Sequence, residues 1–180
     1  MFREKASEPV YSGRNFKVFK KTFQGPKGSF IVDIVEHPGA VVILPLKQDN
    51  RIVFIKQYRY VVEEELLELP AGTIKDGEDP FHCALRELEE ETGLKAGKLR
   101  LLGIHYASPG HSTELYYSFL AEDLKRGKES PEIDEEIRTV EYSLSEVLEL
   151  IRKGEIRDSK TLATIMLFLM YLGFSTEKLL

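Results

Sequence analysis

The chain has 180 residues, 30 acidic against 25 basic side chains, a formal net charge of −5 and a hydrophobic fraction of 42%. At ~150 residues per domain this reads as one domain with a short appendage, large enough to fold without a metal or disulfide staple and too apolar for disorder. The single Cys83 excludes an internal disulfide, the acidic balance argues against holding nucleic acid by bare charge, and the longest uncharged run, Thr161 to Thr176, falls short of the ~20 apolar residues of a membrane span.

Met1-Phe2-Arg3-Glu4-Lys5 lacks the apolar core of a secretory signal, so a cytoplasmic setting is expected. Phe16 to Phe23 alternates apolar and basic residues and reads as a strand, with Lys17, Lys20, Lys21 and Lys27 as solvated edge charges, a role in anion attraction being the alternative. Gly25-Pro26-Lys27-Gly28 is a turn, Ser29 to Val35 is β-rich, and Pro38-Gly39 breaks it. Ala40 to Leu46 is continuously apolar, as in a strand buried on both faces. After the turn Gln48-Asp49-Asn50, Arg51 to Tyr60 returns as a second strand, a hairpin by loop length. Leu66 to Leu69 is short and apolar and ends at Pro70-Ala71-Gly72.

Asp79-Pro80 predicts a helix start, with aspartate as N-cap and proline where no N–H is needed; Gly93 predicts its left-handed C-cap. Leu99 to Ala107 and Glu114 to Ala121 read as strands around the turn Ser108-Pro109-Gly110, and Arg138 to Tyr142 as another. Ser143 with Glu146 forms a capping box for a helix ending near Gly154, and a last apolar helix runs from Ser159 to Leu172. Strands that precede, separate and follow few helices indicate an α+β fold. His37, His82, His105 and His111 lack zinc spacing and read as structural or surface residues, and Cys83 as a packing residue.

The helix after Asp79 carries Arg86-Glu87-Leu88-Glu89-Glu90-Glu91. Glu87, Glu90 and Glu91 fall within about a quarter of its circumference, towards the end where the helix dipole disfavours anions. Such neighbours repel, and Arg86 reaches Glu90 at i+4 but offsets only part of that. A hard divalent cation would turn repulsion into attraction, and Mg²⁺ favours carboxylates and commonly bridges to phosphates. A run of glutamates alone is usually a solvated face. Here a glycine-bearing loop, Ala71-Gly72-Thr73-Ile74-Lys75-Asp76-Gly77-Glu78, leads into the helix with a carbonyl and another carboxylate to offer.

Gly72, Glu78, Arg86-Glu87-Leu88, Glu90-Glu91 and Gly93-Leu94, at these spacings, resemble the Nudix box with every position filled. Seven fixed identities at ~6% background give a chance match on the order of 10⁻⁹ per start position. The resemblance implies an α/β/α sandwich around a mixed sheet. It implies Mg²⁺-dependent hydrolysis of a nucleoside diphosphate linked to another moiety, with Mn²⁺ as the alternative ion. By matched position, Glu87 and Glu91 are the main metal ligands, Glu90, Glu78 and the Ala71 carbonyl assist, and Arg86 orients the glutamates.

Other segments are similar to the ADP-ribose pyrophosphatase subfamily: Pro109 fifteen positions after Leu94, Gln57-Tyr58-Arg59-Tyr60, His37-Pro38-Gly39-Ala40, and Leu67-Glu68-Leu69-Pro70 before Ala71-Gly72. This implies hydrolysis of ADP-ribose to AMP and ribose 5-phosphate. Arg59, Ser108, Gly110 and Glu114 would contact substrate, although an ion pair of Arg59 with Glu63 or Glu64 and an ordinary turn at Ser108 are the plain alternatives. The general base would come from the acidic loop Glu129 to Arg138, as Glu135 with Glu136 and Glu132 behind it. Residues 1–38 would form a β appendage before a Nudix domain at 39–180. The appendage would be exchanged across a homodimer and hold the adenine, with Phe23, Phe30 and Asp33 as candidates. Rival readings are a broader nucleoside diphosphate sugar pyrophosphatase (ADP-glucose, GDP-mannose), a catalytically silent ADP-ribose sensor, and an RNA-acting enzyme, against which the acidic balance counts.

Overall fold

Six consecutive buried residues, Ala40–Pro45, make the strand on which the rest is arranged. The computed structural model describes residues 1–128 and 136–173. In chain order these form β1 (Arg3–Ser12), β2 (Lys17–Gly25), β3 (Gly28–Glu36), β4 (Ala40–Pro45), β5 (Arg51–Arg59), β6 (Glu64–Glu68), β7 (Ala71–Thr73), α1 (Pro80–Thr92), β8 (Leu94–Lys95), β9 (Lys98–Tyr106), β10 (Leu115–Glu122), β11 (Lys125–Arg126), β12 (Ile137–Ser143), α2 (Leu144–Arg152) and α3 (Ser159–Tyr171).

Strand β4 is central in a mixed sheet of order β7-β4-β10-β9, parallel to β10 and antiparallel to β7. Side chains alternate along a strand, so β4 feeds two cores. Val41 and Ile43 meet Cys83, Ala84 and Leu88 of α1, while Val42 and Leu44 meet Phe54, Val147, Ile165 and Phe168. Helix α1 covers one face; α2, α3 and a second, antiparallel sheet of order β12-β5-β6 cover the other. This is the expected α+β fold, an α/β/α sandwich, with an N-terminal β appendage of order β1-β2-β3.

The expected hairpin of Ala40–Leu46 with Arg51–Tyr60 is corrected. The turn brings the strands together through one bridge, Leu46 to Ile52, and they then enter different sheets. A strand buried on both faces and hydrogen-bonded on both edges, here by β7 and β10, has no edge left for β5; loop length fixes proximity, not pairing. Strand β1 was not legible as a strand: all ten residues are exposed, so no apolar period marks it.

Local signals for the helices hold. Asp79 accepts hydrogen bonds from the Phe81 and His82 amides, and Gly93 closes α1 at φ 64°. Ser143 and Glu146 form the reciprocal capping box of α2. Helix α3 is bolted to the sheets by buried hydroxyls: Thr161 Oγ1 accepts from the Leu69 amide at 2.9 Å, and Thr164 meets Ser118 at 2.7 Å.

Candidate active site

Three pieces of chain meet at the site: the turn from β6 into β7, the loop 74–79, and the outward face of α1. Glu91 is only 3% exposed, and its Oε2 accepts the Ala71 amide at 2.9 Å. Glu87 lies directly over Gly72, where a Cβ would stand 2.0 Å from its carboxyl carbon. Both carboxylates are thus fixed against the backbone that also presents the Ala71 carbonyl.

Arg86 holds the outer acids. Its Nε and Nη2 reach the two oxygens of Glu78 at 2.8 and 2.9 Å, and Nη1 reaches Glu87 at 2.6 Å and Glu90 at 2.8 Å. Helical spacing alone shows only the Arg86–Glu90 pair; in the folded chain one guanidinium compensates three carboxylates. It also holds the Glu78 carboxyl well below the usual range, at about 2, with help from the Lys75 amide. Beneath it Cys83 is buried, and burial pushes its thiol up, as suits a packing residue.

The donor set fits a hard divalent cation. Two carboxylates, Glu87 and Glu91, with one carbonyl on the intervening backbone are what an ion such as Mg²⁺ takes from protein while keeping waters or phosphate oxygens. Among the described residues no group of three acidic, histidine or cysteine side chains forms a ready cage. Both oxygens of Glu78 are engaged by Arg86 and the Lys75 amide, so direct ligation by Glu78 would require it to leave the guanidinium.

Beside the acids opens a cleft of ≈ 740 Å³, whose walls include Glu87, Gly72, Arg59, His37, Lys75 and Lys17. This is the size of an ordinary small-molecule site. Arg59 closes one wall from the end of β5. Its partner is neither Glu63 nor Glu64 but the buried Glu68, which takes Nε at 2.8 Å and Nη2 at 2.6 Å; this bond raises the already high affinity of the guanidinium for its proton.

A family model of the NUDIX domain matches residues 36–165. The chain belongs to the Nudix family. It is 38% identical to an ADP-ribose pyrophosphatase of Bacillus subtilis (strain 168) over 159 residues, which are 87% of this chain and 86% of that protein. It is 36% identical to a methanol dehydrogenase activator of Bacillus methanolicus, covering 92% of each, and 37% identical to a GDP-mannose pyrophosphatase of Escherichia coli (O1:K1 / APEC), covering 76% of this chain and 74% of the other. The solved structure of an ADP compounds hydrolase superposes with a TM-score of 0.84 at 22% identity, over 96% of this chain and 94% of that one, and so shares the fold.

The Nudix box residues Glu78, Arg86, Glu87, Glu90 and Glu91 stand together with Ala71. The subfamily-like residues are more dispersed. Ser108, Gly110 and Glu114 lie on the loop between β9 and β10, which is stitched to the end of β3: the Val35 amide donates to the His111 carbonyl and the Thr113 amide to the Val35 carbonyl. Glu114 sits 3.7 Å from His37 Nδ1. This loop contacts His37 of the cleft wall, and none of the three is among the residues lining the cleft. Asp33 is exposed on β3, opposite Lys20, and away from the cleft wall. Glu135 and Glu132 lie outside the described residues; Glu136, immediately before β12, is exposed.

Sequence reading missed Arg14, Lys17 and His37 as cleft residues. Sequence pattern marks Lys17 as a solvated edge or an anion attractor and His37 as a structural or surface residue, neither as a wall of this cleft. The available signal was turn chemistry: Gly13-Arg14-Asn15 connects β1 to β2, and with β1 unseen there was no hairpin tip to place near the site.

Proposed function

We propose that the chain is a divalent-metal-dependent ADP-ribose pyrophosphatase, which hydrolyses the diphosphate of ADP-ribose to AMP and ribose 5-phosphate. The observation that carries this is the pairing of Glu87 and Glu91, anchored on the Gly72 and Ala71 backbone, with an arginine-walled cleft. The similarity to the Bacillus subtilis enzyme supports the substrate.

In this reading Glu87, Glu91 and the Ala71 carbonyl hold the cation, Mg²⁺ or Mn²⁺, with Glu90 assisting. When bound, such an ion neutralises diphosphate charge and acidifies a water. Arg59 receives the diphosphate with a planar donor fork suited to phosphate oxygens. Arg86 holds Glu78, Glu87 and Glu90 in place. A carboxylate takes the proton of the attacking water; the water oxygen bonds to one phosphorus as the bond from that same phosphorus to the bridging oxygen breaks, and the phosphate that departs with the bridging oxygen takes up a proton. We assign that carboxylate to Glu135, with Glu136 and Glu132 behind it. Ile137 pairs with Gln57, two positions before Arg59, so β12 begins beside the end of β5 that carries Arg59, which supports the assignment. Ser108, Gly110 and Glu114 shape the His37 side of the cleft. A cytoplasmic setting suits the single buried free thiol. No helix among the described residues is long and apolar enough to cross a membrane.

Incubation with ADP-ribose, ADP-glucose and GDP-mannose plus Mg²⁺ or Mn²⁺, with products identified by mass, tests the reading. AMP and ribose 5-phosphate should form fastest from ADP-ribose. Faster release of GMP from GDP-mannose would move the assignment to the second reading, which the similarity to a GDP-mannose pyrophosphatase favours.

A further inference from the structure

Glu68 is a carboxylate with 1% of its side chain exposed, and it holds two cations. Arg59 grips it through Nε and Nη2 at 2.8 and 2.6 Å, and Lys160 of α3 meets Oε2 from the other side. Lys160 also reaches Asp158, the N-cap of α3, at 2.9 Å. Burial works against ionising Glu68, and the two cations outweigh it. A buried pair of this kind is weak evidence for stability, since apolar residues of equal volume often serve as well. Its position suggests what else it does.

A guanidinium has two hydrogen-bonding edges in one plane. Glu68 takes the edge made by Nε and Nη2. The described residues give Nη1 no hydrogen-bond partner, and Arg59, 35% exposed, lines the cleft. A free arginine on that wall would sample many rotamers and fold back onto the acids, since Glu91 already acts on it through space. The clamp holds the fork at one angle and leaves one edge for an anion.

We propose that Glu68 is a positioning residue for Arg59: it fixes the guanidinium so that Nη1 faces the substrate diphosphate, and Lys160 compensates the buried carboxylate when the diphosphate draws charge from Arg59. This rests on the reading of Arg59 as a phosphate contact. It also explains why Lys160 is aimed at the same carboxylate: one cation can be shared with an anionic ligand because the second stays behind.

A simple structural role would act elsewhere. Glu68 stands three residues before Ala71, so a distortion there would disturb the metal side of the site whether or not Arg59 were present. Calorimetric titration of the non-hydrolysable α,β-methylene-ADP with Mg²⁺ into wild type, Glu68→Gln, Arg59→Ala and the double variant separates the two. Each single change should weaken binding by about ten-fold or more. The double variant should bind like Arg59→Ala, because Glu68 has nothing left to position. Unchanged affinity in Glu68→Gln, unchanged affinity in Arg59→Ala, or a further full loss in the double variant each overturns the proposal. If Glu68→Gln does not fold, Lys160→Met replaces it: Glu68 then holds Arg59 alone and more tightly, so binding weakens, and equal affinity overturns the idea. Wild type that binds the analogue through Arg59 yet leaves ADP-ribose intact would overturn the substrate assignment and leave the clamp standing.

Discussion

Gly72 has almost no room to change. The carboxylate of Glu87 fills the space where a side chain would begin, with its oxygens 2.1 and 2.4 Å from the place of a Cβ. The obstacle is the far end of a flexible side chain, so Gly72→Ala folds and Glu87 moves. Misplacing a group at the chemical centre by about 1 Å costs about 10²-fold in rate, and we expect a turnover loss of that order with a circular dichroism spectrum like wild type. Turnover close to wild type would detach Glu87 from the chemistry. At this scale the sequence was informative where helical period governs: the spacing of Glu87, Glu90 and Glu91 put them on one face, and they are there. Helical period was silent on Arg86 reaching Glu78, which only the family resemblance implied, and on the Glu68 clamp, because those contacts join segments whose approach only the folded chain sets.

Between elements, the bond from Arg86 to Glu78 ties the loop 74–79 to α1. Glu78 titrates at about 2 against an ordinary 4.5, so folding is favoured while it is ionised. The sign follows from linkage: below 4.5 the unfolded chain takes up a proton that the folded chain refuses. The stability that Glu78 contributes is thus complete above pH 4.5 and lost as the pH falls towards 2. Melting temperatures of wild type and Glu78→Gln should differ by a constant amount above pH 4.5 and converge below it, the carboxylates that do not touch Arg86 cancelling in the comparison. A gap that ignores pH would mean that the ionised form is not what Arg86 holds. Elements themselves were legible where local chemistry decides them: Asp79, Gly93 and the Ser143–Glu146 box set the helix ends as read. The failures, β1 and the pairing of β4 with β5, have one physical origin. Apolar period reports burial, so a strand exposed throughout is invisible to it, and a strand buried throughout does not say which neighbours bury it.

Across the whole molecule the unbalanced part is the appendage β1-β2-β3. Phe2, Val10, Tyr11, Phe30 and Ile31 are all large, apolar and exposed on it. We propose that another molecule covers this area, because a contiguous exposed apolar patch is the usual form of an interaction surface. A second copy of this chain is the partner that the subfamily resemblance implies, and the turn between β1 and β2 already lines its own chain's cleft. Assembly and turnover should therefore be linked. Sedimentation should give a particle of twice the 20.6 kDa chain mass. Phe30 and Ile31 are adjacent on β3 and point to opposite faces, so Phe30→Glu and Ile31→Glu place a charge on each face in turn. Whichever face is covered, one of the two variants should sediment as a single chain and lose turnover of ADP-ribose, while the other stays paired and active. A wild-type chain that sediments alone at assay concentration and turns over fully would remove the second copy from the account of the site and leave the appendage to some other use.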